Sequence, residues 1–437
     1  MRFRLIILFC LLAGTAHVFG QSNLNDIDTT SGFGKSLLGL FKKFDRLKFS
    51  GYLQPQFQFA DTLGAKSFNG GDFAPASSSR FMLRRGRFRV DYANYNASGQ
   101  PTAFFVFQFD GTERGFFARD FWGRVFENKF QCFAFSAGIM ARSFGNEILL
   151  GSSDRESPER GRMSQLHMRT ERDIGAMLTF EPRKKNSKLK FMKWDLMISN
   201  GQGLVGSTLG LIGNTDFDSR KDVISRFVIK PQKVLANFSI SGGISALYGG
   251  IRQFSSISYK MDGKKYLFED NVENIGRSAS RQYYGADIQF KRNHTRFATE
   301  FRAEYIVGTQ TSLAGSSETP ATAGLQSDGS YAPLYTRNFT GAYFYFIQKL
   351  GSVKHQLILK YDWYDPNSAV SRKEIDQSFS SADIKYSTLG FGYQYYINTN
   401  VKLLTYYEIV RNEITDLSNF SRDLKDNVFT CRLQFRF

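Results

Sequence analysis

Once its first twenty residues are passed, the chain has no long apolar run, and this excludes a membrane-spanning helix, which needs about 20 consecutive apolar residues. Cysteine is nearly missing too. Of three in 437 residues, only Cys132 and Cys431 follow the leader, too few for a disulfide framework or a cysteine-based zinc site. Histidine is as scarce, with His167, His294 and His355 downstream of the leader, and none stands beside a nucleophile motif, a metal-ligand spacing or a phosphate-binding glycine loop. These absences argue against an enzyme and give no metal and no cofactor to place. Proline is rare, nine in all, so long extended segments can run unbroken.

Basic residues are abundant: 57 Lys and Arg stand against 40 Asp and Glu. The N-terminus has the three parts of a secretory signal, with Arg2 and Arg4, an apolar run from Leu5 to Leu12, and small residues up to Gly20. Valine at position 18 and glycine at 20 put the expected cut after Gly20, and removing the leader lowers the formal net charge from +17 to +15. An exported chain this basic needs an anionic partner. The charges are spread along the whole length and the chain leaves the cytoplasm, so nucleic acid is not expected. Small anionic solutes, outer-membrane lipid and lipopolysaccharide are. Residues 21–47 follow as a periplasmic segment, in which Leu37, Leu38, Leu40, Phe41 and Phe44 have helix-like spacing; a short amphipathic helix and an unstructured leader fit equally.

Beyond residue 48 the dominant signal is period-two alternation. At the C-terminus Phe429, Cys431, Leu433, Phe435 and Phe437 interleave with Thr430, Arg432, Gln434 and Arg436, and near the start Leu53, Phe57 and Phe59 interleave with Tyr52, Gln54, Gln56 and Gln58. Such stretches predict strands near 48–60, 80–94, 101–112, 118–128, 131–141, 172–181, 190–200, 220–230, 234–249, 281–292, 295–308, 337–349, 353–364, 384–396, 399–412 and 425–437. Short turns are expected at Pro231-Gln232-Lys233, Asn293-His294 and Leu350-Gly351-Ser352. Long polar connections near 61–79, 142–171, 201–219, 250–280, 309–336, 365–383 and 411–424 gather at one end. Short turns opposite long loops, with apolar-out and polar-in strands, predict an all-β fold: an antiparallel transmembrane β-barrel of about 16 strands over 48–437, in a bacterial outer membrane. The 16% aromatic content suits girdles at the two interfaces.

Strand parity then assigns the basic residues. Arg85, Arg87 and Arg89 share one face, opposite Met82, Phe88 and Val90, while Lys193, Arg226, Arg296, Arg302, Lys354, Lys360, Arg432 and Arg436 fall on the lumen side of their strands. Asp110, Asp195, Glu300, Glu304 and Asp362 share that side, so part of the charge must pair internally. Loop 142–171 adds Arg142, Arg155, Arg160, Arg162 and Arg169 together with Glu147, Asp154, Glu156 and Glu159. Guanidinium groups along an aqueous wall concentrate anions and offer paired donors to carboxylate or phosphate. The reading is a passive pore with an anion-favouring lumen; a barrel with a structural, adhesion or assembly role and no conductance is the alternative.

The segments SAGIMARSFGNEILLGSSDRESPERG and ERDIGAML, with the early FSGYLQPQFQFAD and the terminal RLQFRF, resemble the phosphate-selective porin O and P family, above all its Bacteroidetes branch. The resemblance runs over most of the mature chain. It implies a homotrimer of 16-stranded barrels, a basic path through each, a third loop folded inward, and a terminal phenylalanine read by the barrel assembly machinery.

Overall fold

The computed structural model describes residues 46–168, 170–204, 216, 218–319, 326, 329–351 and 354–437. The expected signal, the segment 21–45 and Arg169 lie outside these. Phe49–Phe437 form one compact unit, the barrel.

Among the described residues eighteen strands form: β1 (Leu47–Ala60), β2 (Ser79–Tyr95), β3 (Pro101–Thr112), β4 (Gly115–Phe126), β5 (Phe133–Ala141), β6 (Arg172–Phe180), β7 (Met192–Ser199), β8 (Asp222–Leu235), β9 (Phe238–Arg252), β10 (Ile257–Asp262), β11 (Lys265–Asp270), β12 (Ser278–Asn293), β13 (Ala298–Ser312), β14 (Leu334–Leu350), β15 (His355–Asp365), β16 (Tyr386–Tyr396), β17 (Val401–Asn412) and β18 (Val428–Arg436). Sixteen of them make the wall, each antiparallel to the next, with β9 pairing directly to β12. The pairing of β1 with β18, from Tyr52 opposite Arg436 to Ala60 opposite Val428, closes the ring, so no sheet edge is left unpaired in the wall. Gly51 and Phe437 exchange backbone hydrogen bonds at this seam (3.2 and 3.1 Å).

The extra pair, β10 and β11, is a hairpin within the long connection 253–277, where the sequence predicts only loop. It pairs with itself and, in parallel, with the outer end of β14 from Ser258 opposite Leu334 to Lys260 opposite Thr336. Tyr259 stacks on Tyr335 with centroids 4.3 Å apart, which anchors it.

The expected turn at Pro231-Gln232-Lys233 is also corrected. These residues lie inside β8, which carries register shifts between Ile229 and Gln232 and between Lys233 and Leu235, and the reversal comes at Ala236-Asn237. The bulges absorb a proline that cannot donate to the ladder.

The wall is turned inside out relative to a soluble core. Leu53, Phe59, Phe88, Phe107, Ile244 and Tyr305 are exposed on the outside, while Gln54, Gln56, Gln58, Arg432 and Gln434 are buried inside. An apolar outer band around a closed ring of sixteen strands is the arrangement of the bacterial outer membrane.

Candidate functional site in the lumen

Loop 142–171 leaves β5 and turns into the barrel, and the local sequence makes this entry possible. Gly145 has φ +61°, a left-handed conformation, and a Cβ there would meet Glu304 Oε1 at 2.0 Å. The space that glycine leaves lets Glu304 accept the backbone N–H groups of Asn146 and Glu147, both at 2.9 Å. A single helical turn and a half, α1 (Arg162–His167), leads the loop back to the wall. The return passes through Thr170 and Glu171, both with left-handed φ (64° and 61°). Glu171 is held there by ion pairs to Arg119, Arg160 and Arg172.

One side of the loop is apolar and packs on an apolar belt. Met140, Met177, Met197, Ile224, Leu247, Tyr283, Ile306, Phe339 and Tyr364, one from each of the nine wall strands β5 to β9 and β12 to β15, enclose Phe144, Ile148, Met163, Leu166 and Met168 of the loop. Met177, Met197, Ile224, Leu247 and Tyr283 are successive cross-strand partners, so the belt is a continuous row. Burying each large side chain stabilises the seat by roughly 1.5–3 kcal/mol. His167 sits in this core against Phe339, Tyr283 and Tyr364, with centroids 3.8, 5.0 and 5.0 Å away. Burial first and Arg281 second hold its imidazole well below the ordinary histidine range, so it is neutral.

The other side of the loop meets charge. Its tip crosses to β17, β18, β1 and β2, where Glu159 takes Arg84 (2.9 Å), Arg85 (2.5 Å), Arg432 (3.1 Å) and the loop's own Arg155 (3.5 Å). Burial alone would raise the Glu159 carboxyl; Arg84, Arg85 and Arg432 instead hold it well below the carboxylate range. Ser152 accepts or shares hydrogen bonds with Tyr52, Gln54 and Arg87, and Lys402 donates to the Ser153 carbonyl at 2.7 Å. On the third quadrant, Lys360 lies 3.2 Å from Glu147 and 3.3 Å from Asp362, and Arg302 bridges Glu156 (2.8 Å) and Glu300 (2.6 Å).

Most of the expected lumen residues are therefore brought together by the loop. Arg85, Arg87, Arg155, Arg160, Arg302, Lys360 and Arg432 all contact it or belong to it. Arg142 is fully buried at its root, 3.3 Å from Asp173 and donating to the Gly201 carbonyl. Arg226 faces inward onto Asp287 at 2.7 Å. Arg89 and Lys193 face inward nearer the short-turn end, paired with Asp91 and Asp195 of their own strands and partly exposed. Arg436 reaches Asp154 (3.1 Å) at the rim, more than half exposed.

Two expectations fail. Arg296 is in the turn between β12 and β13, and Lys354 in the turn before β15, both exposed at the barrel end because their strands start later than the alternation suggests. Met82 is also misplaced: Gln56, itself inward, donates to its sulfur at 3.2 Å, so Met82 faces in. The neighbours Arg84 and Arg85 both reach Glu159, which shows the parity slipping by one residue between them. Sequence reasoning passed over Arg281 and Arg337, fully buried on Asp222 (2.8 Å) and Asp383 (2.9 Å), which share the parity of buried Tyr283 and Phe339; Arg119, at the register shift of β4, and Arg172, on the parity opposite Asp173 and Met177, reach Glu171 where alternation gives no signal.

Comparison with solved structures follows the same architecture. OprB of Pseudomonas putida matches with a TM-score of 0.55 and 7% identity, over 94% of this chain and 97% of that one. An anion-selective porin from Comamonas acidovorans matches with 0.51 and 9%, over 90% and 99%. OmpF of Salmonella typhi, solved with daunomycin, matches with 0.51 and 11%, over 90% and 97%. The chain has a porin fold. No protein-family model and no curated protein matches it. At these identities the likeness is of fold alone, and this porin barrel's charges have to be read from its own residues.

Proposed function

We propose that this porin-fold chain is a passive outer-membrane channel that favours small anions, phosphate among them, and that it acts as a channel, not an enzyme. The observation that carries the reading is the sharing of one carboxylate, Glu159, by four arginines where the loop tip meets the wall. Such a cluster keeps a positive excess in a region of low dielectric, where fixed charge acts strongly on a passing ion. Arg89, Arg124 and Lys193 extend the basic surface toward the short-turn end. Within this reading the leader is cleaved after Gly20, residues 21–47 stay periplasmic, the barrel occupies 48–437, and the protein assembles as a homotrimer among lipopolysaccharide after handling by the barrel assembly machinery. Reversal potentials across a bilayer in a salt gradient test it: anion preference is expected, cation preference refutes it.

A second reading is favoured by one feature, the apolar belt that seats loop 142–171 across the lumen. A barrel filled in this way could serve as a structural or adhesion element that passes no ions. Single-channel recording separates the two.

A further inference from the structure

On the long-loop side of loop 142–171 lies a cavity of about 820 Å³, whose charged lining is Lys66, Arg84 and Arg162 against Asp72, Glu318 and Asp426, beside Phe68, Tyr386 and Phe420. Its centre is Arg162, the first residue of α1. The guanidinium carbon is 3.5 Å from the centroid of the Tyr386 ring and 4.3 Å from that of Phe68. Both rings lie within cation–π range of the guanidinium. The edge of a guanidinium is the part that binds a planar carboxylate through two parallel hydrogen bonds. Asp426 and Asp362 act on Arg162 only through space; among the described residues no carboxylate forms an ion pair with it. Nearly every other inward arginine of the barrel has such a partner. Arg84, on the same cavity wall, already holds Glu159 and still contributes positive charge. Apolar surface from Leu166, Ile384 and Phe420 adjoins these groups.

We propose that this external vestibule is a binding site for organic anions that join a carboxylate to an apolar, preferably aromatic, body. The carboxylate takes the edge of Arg162, and the body lies along Phe68, Tyr386 and Phe420. A bare inorganic anion would use only the first half of the site. The assignment goes beyond the anion-favouring channel and rests on that reading only for the sign of the charge it attracts.

The test is calorimetric titration of the detergent-solubilised full chain at low ionic strength with benzoate, acetate, inorganic phosphate and benzylammonium. Benzoate should bind about tenfold more tightly than acetate or phosphate, the ratio that one buried aromatic contact supplies, and benzylammonium should not compete. Arg162→Gln should weaken benzoate by about tenfold or more, and Phe68→Ala should weaken benzoate several-fold while leaving acetate where it was. Equal affinity for benzoate and acetate, tighter binding of phosphate, or an unaltered affinity in Arg162→Gln overturns the assignment. Where Arg162→Gln does not assemble, as judged by its mobility before and after boiling, Phe68→Ala decides alone. Binding in detergent does not depend on conduction, so a barrel that passes no ions yet binds benzoate refutes the channel and keeps the site.

Discussion

At the scale of single residues, the lumen is governed by a few positions where size or charge has no substitute. Gly145 is one, since any Cβ there would collide with the Glu304 carboxylate that fixes the loop's entry. Gly145→Val should loosen loop 142–171 and raise single-channel conductance; an unchanged conductance would show that the entry turn does not hold the loop. Glu159 is another. Glu159→Gln leaves Arg84, Arg85, Arg155 and Arg432 without their common counter-charge, a loss of about 3–5 kcal/mol by analogy with broken buried pairs, and should lower the temperature at which boiling shifts the mobility of the protein. Asp426, on the external loop 413–427, supplies a pH signature. Burial raises its carboxyl from an ordinary 3.8 to about 6, with Arg162 pulling the other way. A raised carboxyl means that the folded state binds the extra proton, so the surrounding loops gain stability as pH falls from about 6 to about 4 and keep it below that. Protection of loop 413–427 against hydrogen exchange, taken relative to the intrinsic exchange rate at each pH, should rise over that window in the native chain and stay level in Asp426→Asn.

Among the elements, the strands were largely legible and the loops were not. All sixteen alternating segments map onto wall strands because one face meets lipid and the other meets water or polar groups, and that contrast is written at every second residue. The misreadings have specific causes. Alternation alone puts Met82 outward, because nothing in the sequence marks the slip between Arg84 and Arg85. Pro231 reads as a turn because a bulge looks the same as a reversal in one dimension. The hairpin β10–β11 depends on contacts with β14 some 75 residues away, which alternation cannot report. The belt under loop 142–171 did leave a trace: in Leu196-Met197-Ile198 and Val223-Ile224 both faces are apolar, Ile198 and Val223 exposed and Met197 and Ile224 fully buried. In a barrel strand such a run means that the lumen side is filled by protein there. Closure has its own element-scale test. The Phe437 ring would lie 2.5 Å from a Cβ at position 51, and the Arg87 carbonyl 2.6 Å away. Gly51→Val should therefore reduce the fraction of heat-modifiable, membrane-inserted protein, as should deletion of Phe437. Normal assembly of both would show that the seam tolerates a misfit.

For the whole molecule, the lumen is divided: an apolar arc from β5 to β15 carries the loop, and a charged arc from β17 through β4 faces its tip. Which side of each strand faces in could be read from the sequence; how the charges pair could not, because Glu159 meets arginines from β2 and β18 only after the loop folds inward. This pairing also changes which substitutions are informative. Arg85 and Arg87 are buried on carboxylates, so reversing their charge would set Glu against Glu159 and Asp110 and disturb the fold. Arg89 and Arg124 are partly exposed and hold no buried carboxylate in an ion pair, so they can be altered without stranding one, whereas Lys193 is the ion-pair partner of buried Asp195.

The central claim, that fixed positive charge in this lumen sets the sign of the ions that pass, is tested most directly by the reversal potential of single channels in a potassium chloride gradient. The chain should favour chloride, most strongly near 0.01 M where the screening length is roughly 30 Å and much less near 1 M where it is about 3 Å. Arg89→Gln and Arg124→Gln together should lower that preference in a barrel that still shifts its mobility on boiling. A potential of the opposite sign, or one that neither salt nor the double variant moves, would contradict the account.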